Sequence, residues 1–268
     1  MKDDLHEDEA VNIIREPKVY LVGMQMVNDA EVDRFLADHG VSHWTTDTTV
    51  AGEKLSEIAG RICYMSFAKP RPGGNGAYLG HILEVGHGSV LEHAVFNFII
   101  TGVSRSFTHE LIRHRAGFGY SQLSQRYVDE STAEYVEPDC IAEDPRLHEI
   151  WLRAIETSQK AYCELVEGLM SRFQSIEDKT LRRKMARQAA RSVLPNATET
   201  KIFVTANARA LRHFIELRCN EYAEVEIRRV AAAVLRVVKE VAPHLFGDYT
   251  FEPLPDGTVA ARTPHMKV

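Results

Sequence analysis

VFNFIITGVSRSFTHELIRHRAGFGYSQLSQRY, residues 95–127, contains one change of periodicity after another. Val95–Val103 is β-branched and aromatic, the composition of a buried strand. Ser104 follows with a side-chain oxygen suited to capping a helix, which would end near the basic triplet Arg113-His114-Arg115. AGFGYS, residues 116–121, has two glycines and reads as a loop.

On the N-terminal side, Lys18–Val27 (KVYLVGMQMV) reads as a buried strand, with helices near Ala30–His39 and Gly52–Tyr64. KPRPGGNG, residues 69–76, reads as a loop before a short helix to Val85, which Gly86-His87-Gly88 breaks. On the C-terminal side, Asp144 to about Phe173 and Lys179–Ser192 have helical periodicity, and Pro195-Asn196 ends the second run. Thr198–Ala206 reads as a strand, and helices follow near Asn207–Leu217 and Glu221–Val241. Short strands separated by helices, with the long helices late, predict an α+β fold with a modest, mainly antiparallel sheet. Residues 1–17 are expected to be a flexible acidic lead and 18–268 a single catalytic domain, since no repeat or linker divides the chain.

A chain of 268 residues with 44% hydrophobic content has ample material for a core. Its net charge of −6 argues against a nucleic-acid footprint, so any anion site must be a local basic cluster. The basic stretch LRRKMARQAAR, residues 181–191, reads as a solvated face or subunit contact rather than an RNA-binding helix. No apolar run is long enough to span a membrane, and the N-terminus lacks a secretory core. Cys63, Cys140, Cys163 and Cys219 form no CxxC pair. A disulfide framework or metal site is therefore not expected, and a reducing cytoplasmic setting fits.

The chemistry concentrates between Arg105 and Arg126, with four arginines and two histidines. Arg105, His109 and Arg113 are spaced to share one helical face. Arginine presents a planar fork of donors that fits phosphate oxygens. Gly117 and Gly119 permit close backbone approach to a ligand. Ser121, Gln122, Ser124 and Gln125 offer polar groups for a base or sugar. An isolated Arg-His-Arg is usually a solvated basic face; the polar run that follows points instead to a nucleotide or a phosphorylated cofactor.

RHR followed by SQLSQRY resembles the signature of flavin-dependent thymidylate synthases, written as RHR, seven residues, then Ser. GRICYMSF (60–67), VGHGSVLEH (85–93), TGVSRSFTHELIRHR (101–115), LRRKMARQAARSVLPNATET (181–200) and TANARALRHFIELR (205–218) resemble further blocks of that family, in family order. One departure stands out: eight residues, AGFGYSQL, separate Arg115 from Ser124, and Gly119 lies near a frequent family serine.

The resemblance implies a fold like that of the family, and binding of FAD, NADPH, methylene-tetrahydrofolate and dUMP by a homotetramer with shared active sites. It implies flavin contacts for Ser66, His87, Ser89, Glu92, Arg113, His114, Arg115, Asn207, Arg209 and His213. His87 would also lie near the flavin ring and folate. For the nucleotide it implies Arg105, Glu110, Gln122, Ser124, Gln125, Arg126, Arg191 and Arg218. Arg126 and Arg191 would take the phosphate, and Arg218 the uracil carbonyl edge, where a cation stabilises charge developing on the ring. Ser124, the family's named serine, is expected to position rather than attack. The extra residue leaves UMP open as a substrate beside or instead of dUMP, and a non-catalytic nucleotide-binding relative is a further reading.

Overall fold

The computed structural model describes residues 11–69 and 71–268; positions 1–10 of the expected lead lie outside them. In chain order the elements are β1 (Asn12–Ile14), β2 (Lys18–Met24), α1 (Asp29–Asp38), α2 (Ala51–Ile62), α3 (Gly74–Glu84), β3 (Val95–Ser104) and α4 (Arg105–Leu111). Next come β4 (Phe118–Gln122), β5 (Glu134–Val136), α5 (Asp139–Ala142), α6 (Pro145–Arg172) and α7 (Lys179–Ala190). The chain finishes with β6 (Glu199–Asn207), α8 (Ala208–Arg218), α9 (Val225–Val241), α10 (Pro243–Phe246), β7 (Thr250–Pro253) and β8 (Val259–Arg262). Among the described residues, a four-stranded sheet runs β2–β3–β6–β4, β1 pairs with β5, and β7 pairs with β8. The expected α+β class with an antiparallel sheet holds.

Two compact units are distinguished. The first takes in residues 11–17, 101–109 and 122–202. Ser104 caps α4 as its sequence predicts, its Oγ accepting from the Phe107 amide at 3.0 Å. Asp144 caps α6 through the amides of Arg146 and Leu147, with Pro145 at the first helical position where a missing N–H costs nothing. Asp178 caps α7 in the same way. Part of the expected flexible lead is ordered. Asn12, Ile13 and Ile14 pair in parallel with Glu134, Tyr135 and Val136. The buried Glu137 carboxylate fixes this strand's end, accepting from Arg15 at 2.7 Å and meeting His148 Nδ1 at 2.5 Å.

The second unit takes in residues 18–100, 110–121 and 203–268. Phe96, Phe98 and Ile100 alternate inward from β3, and Phe96 meets Phe246 edge-on at 5.8 Å. From α9, Ile227, Val230, Ala231, Val234, Leu235 and Val238 bury one stripe at helical spacing. Helix α8 is anchored by its buried Arg212, whose fork grips Asp248 at 2.7 and 2.8 Å. That anchor sets which α8 side chains remain outward.

Three expectations change. Residues expected as loop from 116 to 121 include most of β4, in which Phe118, Tyr120 and Gln122 alternate with exposed Gly119 and Ser121. The expected 69–76 loop ends early because α3 starts at Gly74. Its first turn is capped from a distance, the Asn75 amide donating to Asp47 at 2.8 Å. A Cβ on Gly74 would lie 2.0 Å from the Asp47 carboxylate, so only glycine admits this cap. Strand β2, expected to be buried, leaves Tyr20, Val22 and Met24 exposed. Helix α4 stops at Leu111, close to the basic triplet as expected.

Burial alone would raise the Glu137 pKa, but the hydrogen bonds from His148 and Arg15 outweigh it and hold the carboxyl below its ordinary range. Such a group stabilises the fold above its unfolded-state pKa and loses that contribution as pH falls through the folded value. Glu137→Gln should therefore cost about 1–3 kcal/mol at neutral pH. In thermal melts across pH, the gap between wild type and variant should close below the ordinary carboxylate range.

Candidate active site

In the second unit, the triplet is fixed by its backbone. The amides of Arg113 and His114 return to Glu110 and Leu111, and the Tyr120 hydroxyl donates to the His114 carbonyl at 2.6 Å. Gly117, at φ +75°, then brings the chain against α8. Its carbonyl accepts from the Asn207 amide, and a Cβ there would lie 2.7 Å from Asn207 Nδ2 and 2.8 Å from Ala210 Cβ. This is a close approach that glycine alone allows. Asn207 also caps α8, its Oδ1 accepting from Ala210 at 2.8 Å.

Glu92, Asn207, Arg209 and His213 line one cavity of about 490 Å³, with Gly117 and Val268. Arg209 Nη1 donates to Glu92 at 2.6 Å. His87 and Ser89 line a second cavity of about 330 Å³ with Tyr64, Tyr78 and Arg209. Arg209 thus belongs to both. Arg113 and Arg115 are exposed and line neither cavity, nor does Ser66, whose carbonyl accepts from Arg61. His114 is buried. Its Nε2 meets Arg218 Nε at 3.0 Å, and Arg218 Nη1 donates to Glu110 at 2.9 Å.

In the first unit, Arg105 donates to the Leu123 carbonyl at 3.0 Å, while its Nε is buried without a partner among the described residues. Burial lowers its pKa; Glu130 offsets this, and the nearby charge of Arg191 lowers it further. Arg126 likewise has a buried Nε without a partner. Two cations in reach of one another, and two buried donors left open, suit an anion. Gln122 donates to Thr108 and Thr200, and Gln125 is buried. Ser124 Oγ accepts from the Arg126 amide at 3.4 Å, a contact that orients the oxygen.

Tyr64, Tyr78, Lys267 and Val268 were not anticipated as cavity residues. Tyr64 lay inside a quoted block, but nothing local marks the tail residues, which reach the cavity only through the fold. Burial pushes the Cys219 thiol up to about 11 and raises that of Cys163, which disfavours these two as nucleophiles. No cluster of metal-binding side chains occurs among the described residues.

The family model described as "Thymidylate synthase complementing protein" matches residues 46–244. The flavin-dependent thymidylate synthase of Mycobacteroides abscessus is 54% identical over 223 residues, covering 82% of this chain and 88% of that one. The enzyme of that name from Mycobacterium marinum is 53% identical over 232 residues, covering 86% and 92%. A crystal structure of a UMP/dUMP methylase, PolB from Streptomyces cacaoi bound with 5-Br dUMP, matches with a TM-score of 0.61 over 88% of this chain and 96% of that one. At 20% identity that match speaks for the fold alone. A family model spanning most of the chain, and relatives more than half identical, place it among the flavin-dependent thymidylate synthases, and the protein is an enzyme of that family.

Proposed function

We propose that the protein methylates the uracil 5-carbon of dUMP, taking the one-carbon unit from methylene-tetrahydrofolate and reducing equivalents from NADPH through FAD. The observation that supports this best is the cavity where Glu92, Asn207, Arg209 and His213 meet. These positions come from two family blocks, residues 85–93 and 205–218, and each matches a flavin contact. The residues fit the cofactor: the cavity is about 490 Å³, one wall is Gly117 where a Cβ would collide, and Arg209 supplies a cation. Exposed Arg113 and Arg115 suit the cofactor's phosphates, and His87, Ser89 and Ser66 its ring and neighbouring folate. When bound, the reduced flavin supplies the hydride that completes the methyl group.

Arg105, Arg126 and Arg191 hold the nucleotide phosphate, with Gln122, Ser124 and Gln125 setting its orientation. Arg218 stabilises negative charge on the uracil ring through hydrogen bonds, and Glu110 pairs with it. Ser124 positions. The family match, over residues 46–244, takes in segments of both units, which supports one catalytic domain over that range. Tyr20, Val22, Met24 and Phe203 expose apolar surface on the sheet, as subunit packing in a homotetramer requires. Four free cysteines suit the cytoplasm, and no helix among the described residues is long and apolar enough to cross a membrane.

UMP is the weaker substrate: the reading rests on the extra residue between Arg115 and Ser124, and that segment is held in place by the pairing of residues 118–122 as β4. Purified enzyme given FAD, NADPH and methylene-tetrahydrofolate should methylate dUMP, with product identified by mass, and leave UMP unchanged; methylation of UMP alone would reverse the assignment. Arg218→Ala should weaken dUMP binding and lower kcat about a hundredfold while the protein keeps its flavin. Arg209→Ala should instead purify with less flavin, read from visible absorbance. Equal loss of both properties in Arg218→Ala would contradict the division of roles.

A further inference from the structure

We infer that Glu110 and His114 are positioning residues that clamp Arg218 from two sides, and that His114 does so as a hydrogen-bond acceptor rather than as a cation or a cofactor ligand. This deepens the nucleotide reading above and rests on it. Arg218 ends α8, Glu110 lies in the last turn of α4, and His114 is the middle of the basic triplet. The Arg218 Nε–H donates to His114 Nε2 at 3.0 Å and Nη1 donates to Glu110 Oε2 at 2.9 Å.

A guanidinium has five N–H donors, no acceptor, and does not deprotonate in a protein. The hydrogen bond at Nε therefore requires a lone pair on His114 Nε2, which places the imidazole proton on Nδ1. The surroundings agree. The His114 ring is buried, edge-on to Phe214 at 5.2 Å, with Phe118 at 5.9 Å and His213 at 6.0 Å. Burial first, then the charge of Arg218 and the neighbouring His213, pushes its pKa down to about 4. An imidazolium here would lose the hydrogen bond and face a cation.

A carboxylate on Nη1 alone would let the guanidinium turn about that contact. The second contact, at Nε, stops the turn and fixes the plane. Nη2 is then the free edge, and with 21% of the Arg218 side chain exposed it is reachable by a ligand. The triplet thereby divides its labour: Arg113 and Arg115 face outward, and the histidine between them holds an arginine from another helix.

The test uses purified full-length enzyme carrying flavin. Dissociation constants for dUMP are measured by calorimetry and flavin content by absorbance, for Arg218→Ala, Glu110→Gln, His114→Leu and His114→Gln. His114→Leu removes the acceptor and should weaken dUMP about tenfold to a hundredfold at unchanged flavin content. In His114→Gln the amide oxygen can replace Nε2, and affinity should return to within about threefold of wild type. Glu110→Gln should lose about tenfold. The wild-type to His114→Gln affinity ratio should be flat from pH 8 to about pH 6 and fall against the wild type towards pH 4; taking the ratio cancels titration of the dUMP phosphate itself.

His114→Leu that sheds flavin yet binds dUMP normally would overturn the assignment and make His114 a cofactor ligand. Normal dUMP affinity in both His114→Leu and Glu110→Gln, with Arg218→Ala impaired, would show that Arg218 needs no clamp. If Arg218→Ala itself binds dUMP normally, the nucleotide reading fails instead. Should His114→Leu not fold, the Glu110→Gln affinity and the pH ratio of His114→Gln decide: no loss and no acid limb refute the clamp.

Discussion

An arginine side chain can only donate hydrogen bonds, and at Arg218 that restriction reaches outward through the second unit. It requires an acceptor at His114 Nε2 and a carboxylate at Glu110, and both are present within 3.0 Å. His114 can accept only while neutral, and it stays neutral because it is buried beside Phe214 under the charge of Arg218. Burial of its ring in turn depends on the turn after α4. There the Tyr120 hydroxyl holds the His114 carbonyl, and Gly117 lets the chain close onto Asn207. One donor-only group thus fixes a tautomer, a turn and the approach of β4 to α8.

Helix α8 does the sorting. Arg212 faces inward to a bidentate grip on Asp248, while His213 and Arg209 line the cavity. The same rotation leaves Arg218 at the helix end, partly exposed. Buried charge of this kind is costly unless paired, and here each pair also orients a helix. In the first unit the pattern is reversed. Arg105 and Arg126 keep buried nitrogen donors open, and Arg105 lies within reach of the charge of Arg191. Cations held together without their full set of partners are what an anionic ligand needs, whereas Arg212, with both Nη groups held by Asp248 and by the carbonyls of Leu245 and His265, is architecture.

Much of this was readable from residues alone. The β3 strand, the Ser104 cap, the long late helices and the family blocks were visible because their signals are local, in alternation, cap chemistry and short motifs. Features set by distant partners were not. Nothing near Gly74 announces that Asp47 will cap α3, and nothing in an acidic lead announces that Glu137 will hold β1. AGFGYS looked like a loop because its glycines outweigh Phe118 and Tyr120, yet those two rings stack at 5.7 Å and share one face of β4. The triplet was legible as chemistry but not as geometry: composition groups His114 with two arginines, and only the fold turns it inward.

The protonation state of His114 is the most direct consequence of the clamp, and nitrogen NMR reads it. In protein labelled with 15N-histidine, the two ring nitrogens of His114 can be assigned by their disappearance in His114→Gln. At pH 7 the expected spectrum has a protonated Nδ1 and an unprotonated Nε2, unchanged until the pH approaches about 4. A protonated Nε2 at pH 7, in either the other tautomer or the imidazolium, cannot accept from Arg218 and would contradict the arrangement on which the site is built.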